Sequence, residues 1–414
     1  MKRVRATFIT LILLFLLSAM ATSEAEVLVQ CPCFLPNPVT GNPDPTLLIP
    51  GAFHNPDTGN AECVVGTRNI ACKHLAAGDG FINNADGSTM YIFGFTDVTG
   101  IASDQITSTA LLKSDFPAPT MAMRQGQEFY LTLTNVGFMM RPDLFDHHTV
   151  HFHGFPNASS FFDGEPMASF GPNMGASVTY YYKLVDPGTF MYHCHVEATE
   201  HMQMGMLGNL YVIPSQDGTP IGGCTSATYA YNDGDGSTCY DVAYPIQIHA
   251  ADPVFHEADL TIQPLNFADL DDKYPMLNGR GYPDTINPGQ MGASADNMDY
   301  LSQKISSLVT ATAGQKILLR ISNLSFDFYN LSVLGIPMEV VGKDAKLLRG
   351  PAPSNRNLYY TTNSIILGGG QSADVILDTG GIQAGRYFLY TTNLNYLSNN
   401  AEDRGGMMTE IVIN

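Results

Sequence analysis

The chain has 414 residues, 44% of them hydrophobic, and a formal charge of −19 at pH 7. That length accommodates two or three domains with ordinary cores. So acidic a surface repels phosphate backbones and argues against a nucleic-acid partner, while it attracts small cations or a basic redox protein.

Residues 1–25 have the layout of a leader: Lys2, Arg3 and Arg5, then an apolar run from Ala6 to Met20, then small and polar residues to Ala25. The run is short for a bilayer span, and Ala19-Met20-Ala21 or Ser23-Glu24-Ala25 offers a cleavage site; a retained anchor is the alternative. No later stretch approaches a membrane span. The expectation is an exported protein, periplasmic or extracellular.

Residues 26–80 are rich in Pro, Asn and Gly and carry four cysteines, the composition of a loop-rich extension stapled by disulfides. With Cys194 set aside, six cysteines remain: Cys31, Cys33, Cys63, Cys72, Cys224 and Cys239. An even set in an exported chain points to bridges, with Cys224–Cys239 the simplest local pair. Cys31-Pro32-Cys33 has no nearby histidine, which favours bridging over metal binding. No C-x-x-C-H motif for covalent haem occurs.

From Phe81 short apolar and aromatic segments alternate with turns: Met90–Phe95, Glu128–Leu133, Val178–Lys183, Gly188–Tyr192 and Gly208–Ile213. This spacing, with no long helical period, predicts an all-β sandwich over residues 81–214. Residues 215–243 form a linker, in which Asn232-Asp233-Gly234-Asp235-Gly236-Ser237 is turn chemistry rather than a calcium loop, because the distal glutamate is absent. Residues 244–414 repeat the texture. Gly126–Asn135 matches Gly314–Asn323, Gly175-Ala176-Ser177 matches Gly370-Gln371-Ser372, and Gly188–Tyr192 matches Gly385–Tyr390, so the expectation is two tandem copies of one Greek-key sandwich.

The copies differ in their ligand-type residues. Residues 147–206 contain seven of the eleven histidines. Where copy one has His148, His151 and His153, copy two has Tyr329, Ser332 and Leu334; opposite His193-Cys194-His195 the sequence frame sets Thr391-Thr392-Asn393. Copy two therefore keeps the scaffold without ligands, and His249 and His256 near its first strand read as structural.

Alternate side chains of a strand share a face. His151 and His153 therefore project together, as do His193 and His195, while Cys194 points the other way. On that other side His148, His201 and Met206 could join Cys194. Two histidines, a thiolate and an axial thioether are the ligand set of a blue copper centre; zinc is the alternative, although it would have no need of the methionine. Met202 and Met204 can simply pack beneath the loop. His147 lies outside this pattern, as a neighbour of the ligands or a surface residue.

The run H-x-x-H-x-H-G at His148–Gly154, followed by H-C-H at His193–His195 and H-x-x-x-G-M at His201–Met206, resembles the multicopper oxidase family, whose domains are cupredoxin sandwiches. Phe162-Asp163-Gly164 and Asp186-Pro187-Gly188-Thr189-Phe190 resemble further family segments. The resemblance, from about Phe81 to the C-terminus, implies that His148, Cys194, His201 and Met206 hold a type 1 copper. It implies that His151 serves a type 2 ion, that His153, His193 and His195 serve a type 3 pair, and that Asp163 helps deliver protons. The gap from His195 to His201 is longer than in many laccases. The family's inner cluster uses eight histidines in four H-x-H pairs, and this chain supplies two pairs. Another subunit, a partner chain or a smaller copper complement must make up the difference. The activity expected is oxidation of a metal ion, a phenol or a redox partner, with electrons passed inward to dioxygen. A blue-copper carrier or assembly subunit, or a copper nitrite reductase drawing on His249 or His256, are the alternatives.

Overall fold

A computed structural model describes residues 28–155, 158–295, 298–350 and 354–414; the leader segment at 1–25 lies outside the described residues. Among the described residues no helix is long and apolar enough to cross a membrane.

The first sandwich is built from β1 (Arg68–Asn83), β2 (Thr89–Asp97), β3 (Ala118–Arg124), β4 (Glu128–Asn135), β5 (His151–His153), β6 (Ser177–Lys183), β7 (Gly188–His193), helix α1 (Ala198–Met204) and β8 (Leu207–Ile213). One sheet has the order β6-β4-β1, with β2 also paired to β1; the other has the order β3-β8-β7-β5. Alternation explains the packing of β4. Phe129, Leu131 and Leu133 enter the core between the sheets, while on its other face Thr132 bonds Thr179 at 2.8 Å and Thr134 bonds His74 at 2.8 Å.

β1 runs straight through the composition boundary expected at residue 80. Its first half pairs with Ala61–Val65 of the extension and its second half with β2. Cys31–Cys72 binds the extension to this strand and Cys33–Cys63 binds it to Ala61–Val65, around a small apolar core that includes Val29, Phe34 and Ile70. Cys224–Cys239 closes the linker loop, and Cys194 alone is free and buried.

The second sandwich comprises β9 (Val242–Ala251), helix α2 (Pro253–Leu260), β10 (Tyr274–Leu277), β11 (Val309–Ala311), β12 (Lys316–Asn323), β13 (Tyr329–Val333), β14 (Met338–Lys343), β15 (Ser364–Leu367), β16 (Ser372–Asp378), β17 (Gly385–Thr391) and β18 (Met408–Ile413). Its sheets run β10-β9-β12-β16-β14 and β11-β18-β17-β13-β15. The parallel pairs β1–β4 and β3–β8 recur as β9–β12 and β11–β18.

The repeat extends to single hydrogen bonds. The Asn135 amide donates to Asp146 O at 2.8 Å, and the Asn323 amide donates to Asp327 O at 2.8 Å. Gly175 N bonds Asn135 O as Gly370 N bonds Asn323 O. The same correspondence corrects the sequence frame by one residue. Cys194 N donates to Met206 O, and Thr391 N donates to Met407 O, so Tyr390-Thr391-Thr392 stands opposite His193-Cys194-His195. Copy two remains without ligands there.

The sandwiches meet at a buried polar contact. Thr189 Oγ1 donates to Asp374 at 2.6 Å, Tyr231 donates to the same carboxylate at 2.5 Å, and Ser322 donates to Asn209 at 2.6 Å.

Candidate metal centre

The register of β5 against β7 sets the site. His193 lies opposite His151, Tyr192 opposite Phe152, and Met191 opposite His153. Directly paired residues face the same way. Phe152 and Tyr192 therefore enter the core, and His151, His153 and His193 stand together on the outer face. Cys194, one step past His193, turns inward and is fully buried.

On the inner side, the ligand atoms of His148, Cys194 and His201 lie within 4.8 Å of one another. Cys194 Sγ is 3.8 Å from His148 Nδ1 and 3.3 Å from His201 Nδ1. Metal bonds of about 2.0–2.3 Å at trigonal angles would separate such atoms by roughly 3.7 Å, so the three donors fit around one ion. Met206 is buried beside them, and its N–H bonds His201 O at 2.8 Å. This tight return needs Gly205, whose φ is 118° and where a Cβ would run into the Phe116 ring.

Burial dominates the electrostatics here. It drives His148 well below the ordinary imidazole range, holds His201 down at about 3, and pushes the Cys194 thiol up to about 11. Two neutral imidazoles beside a protonated thiol have no acid–base use at neutral pH. A cation would draw the proton from the sulfur and turn the set into a strong ligand field. Phe138, stacked on Phe93 at 4.1 Å, packs 5.1 Å from the His148 ring and excludes water.

On the outer side, the ligand atoms of His151, His153 and His193 also lie within 4.8 Å of one another. The His195 ring joins them, 5.0 Å from His151 and 5.5 Å from His193. His193 Nδ1 bonds Cys194 O at 2.8 Å, and His151 Nδ1 bonds Asp163 O at 2.6 Å, which leaves Nε2 of each ring for a ligand. His153 is exposed, His151 and His195 are half-buried and His193 is buried. A Cβ at Gly370 would lie 2.9 Å from His153 Cε1, so the second sandwich closes on this cluster.

The structure places Asp163 beside His151 in a way the sequence did not indicate. Its backbone carbonyl makes the hydrogen bond, and its carboxylate stands 3.7 Å from His151 Nδ1. Met204 is in the first core and Met202 packs against Met191, Leu207 and Leu324. His147 sits near Gly171, where a Cβ would come 2.9 Å from its ring. His249 and His256 are both buried.

Two residues were missed. Asp146 and Glu197 bring carboxylate oxygens within 4.8 Å of a His201 ring nitrogen. Glu197 precedes His201 by one helical turn and Asp146 precedes His148 by two residues, spacings that point to each singly but not to their meeting.

A profile of the multicopper oxidase family matches residues 97–217, and a second profile of that family matches residues 273–413. No curated protein matches the sequence. Among solved structures, the multicopper oxidase mgLAC is similar over 82% of this chain and 85% of its own, at 19% identity and a TM-score of 0.60. A blue copper oxidase from Nitrosomonas europaea is similar over 82% and 85%, at 20% identity and 0.59. A copper nitrite reductase from Nitrosomonas europaea is similar over 82% and 93%, at 16% identity and 0.54. At these identities the likeness is one of fold.

Proposed function

The chain belongs to the multicopper oxidase family, and from that premise we propose that it is a copper oxidoreductase that takes electrons at the buried Cys194 centre and delivers them to the outer histidines for reduction of dioxygen to water. His148, Cys194, His201 and Met206 would hold a type 1 copper, and His151, His153, His193 and His195 would hold type 2 and type 3 copper. Bound there, copper supplies one-electron chemistry that no side chain offers. The observation that carries the reading is the alternation in β7, which sets Cys194 on one face and its imidazole neighbours on the other. The backbone between them, closed by the hydrogen bond from His193 Nδ1 to Cys194 O, is the path joining the two groups of ligands.

Asp146 and Glu197 at the edge of His201 favour a cationic donor, a reduced metal ion, over a neutral phenol. With Met202 and Met204 packed inside, the carboxylates carry that preference. Asp163 stands where it can pass a proton to the outer site. Three disulfides suit an oxidising, exported location.

Only four imidazoles face outward at this site among the described residues, which favours completion by another subunit or partner chain. It also sustains a second reading, a blue-copper carrier without oxygen chemistry. The nitrite reductase alternative needs His249 or His256, and each is buried against the first sandwich: the His249 ring lies 5.1 Å from Phe116 and His256 bonds Tyr91 O.

Copper counted per chain on the copper-loaded oligomer, with electron paramagnetic resonance and oxygen uptake, tests these readings. A type 1 signal, further copper partly silent to resonance, and oxygen uptake are expected. One type 1 copper per chain with no uptake would replace the oxidase by the carrier, and nitrite turnover with a type 2 signal would replace it by the reductase.

A further inference from the structure

Helix α1 carries His201 and ends in the turn that returns Met206. Its last carbonyls have no partners within the helix and need them from elsewhere. His201 O accepts from Gly205 N and Met206 N, and Met202 O accepts from Gly205 N. Gln203 O faces the second sandwich, with His256 Nε2 3.1 Å away. His256 lies on α2 of the second sandwich, and its other nitrogen lies 2.6 Å from Tyr91 O of β2; burial favours the neutral ring, which donates to one of these two carbonyls at a time. The ring is thus wedged between the end of α1 and the strand beneath it. β2 also carries Phe93, whose ring packs edge-on to His201 at 5.8 Å.

The same segment grips α1 twice more. Gln203 Nε2 donates to Asp272 at 3.0 Å, and the Asp259 carboxylate engages Arg141 at 2.5 Å and Glu200. The contacts to Gln203 and Glu200 cross from the sandwich without ligands to the helix bearing a ligand, and those to Tyr91 and Arg141 cross to its neighbours in the first sandwich.

We propose that His256 is a positioning residue for the Cys194 centre: wedged between Gln203 O and Tyr91 O, with an N–H for one of them, it fixes α1, and so makes the copper geometry depend on the contact between the two sandwiches. This rests on the reading of His148, Cys194, His201 and Met206 as copper ligands. It gives the second sandwich a role there that does not require it to supply a ligand.

Full-length His256→Gln and His256→Phe are compared with the unaltered chain and with His74→Gln, a buried histidine change far from α1. In the metal-free proteins, amide exchange over residues 198–206 is measured by mass spectrometry. His256→Gln is expected to raise exchange there about tenfold or more, with β17 and β18 unchanged, and His74→Gln to leave it alone. In the copper-loaded proteins, the thiolate–copper absorption band and the resonance hyperfine splitting are recorded, along with the rate of copper loss to a chelator. His256→Gln is expected to shift the band and speed copper loss, and His256→Phe, if it folds, to do more. An unaltered chain without the band would sink the copper reading. A blue unaltered chain whose His256→Gln variant keeps its exchange, band and copper-loss rate, with only its melting temperature lowered, would overturn the positioning role.

Discussion

The two sandwiches share one strand order, to which the second adds β14 and β15, and the same asparagine-held loops, yet one carries the proposed ligand set and the other, among its described residues, carries none of it. In copy one His148 and His201 face each other with ring centroids 5.0 Å apart; in copy two Tyr329 and Tyr396 do so at 4.8 Å. Thr391 stands where Cys194 does and Met407 where Met206 does, both fully buried. On the outer face Ser332 and Tyr390 pair as His151 and His193 pair. The fold therefore needs buried bulk at these positions and is indifferent to its donor chemistry. On the proposed reading, the metal chemistry is an addition that a few side chains make to a scaffold that the second copy builds without them.

The sharpest way to break that comparison is Cys194→Ser. It should abolish the blue absorption band entirely while leaving circular dichroism and sandwich topology intact; a band that persists would mean that the sulfur is not a ligand. Next comes the pair His151→Ser with His153→Leu, the residues copy two has at those places. Oxygen uptake should fall by about a hundredfold or more, and copper per chain should drop, with the type 1 band retained. Loss of the band as well would show that the two faces are not separable.

Acid should then loosen the metal-free chain wherever buried histidines lie, in copy one and also at His249 on β9 of copy two. An unfolded imidazole binds its proton below about 6.5, while burial keeps His193 and His201 neutral down to about 3. Between those limits the unfolded chain binds more protons. Stability is therefore complete above about pH 6.5 and falls as the pH drops through that window. Urea midpoints at pH 7.5 and 5.5, read with amide exchange, should show α1 and β7 loosening before β17 and β18. The smallest effect is the most symmetric. Asn135→Ala and Asn323→Ala each remove the donor from one buried and one part-buried hydrogen bond to a carbonyl and should each cost about 1–3 kcal/mol, measured by denaturant titration. Only the first should disturb the copper spectrum, because Asp146 and His148 follow from its loop.

Much of this was legible in the chain because ligand chemistry and alternation are local. His151, His153, His193 and Cys194 sit within two short strands, so their facing followed from a period of two. β1 was harder: from Ile70 to Gly80 it is buried on both faces, so its run of Ala, Gly, Lys and His shows no alternation. Asp146 and Glu197 come together only because Glu197 starts α1 in a left-handed conformation, φ 44°. The contacts of His256 go to backbone carbonyls 165 and 53 residues away, and a carbonyl leaves no mark in a sequence.

The extension held by Cys31–Cys72 and Cys33–Cys63 has a mechanical consequence. The first bridge anchors it to the half of β1 that runs beside β4, the second to the strand Ala61–Val65 paired with that half, and Leu28 N bonds Ser177 Oγ on β6, the outermost strand of that sheet, at 2.7 Å. A reductant that opened both bridges would free a flap from that margin and bare unpaired backbone there. Self-association through β6, rather than bleaching of the copper, should be the first sign that the protein has met a reducing compartment.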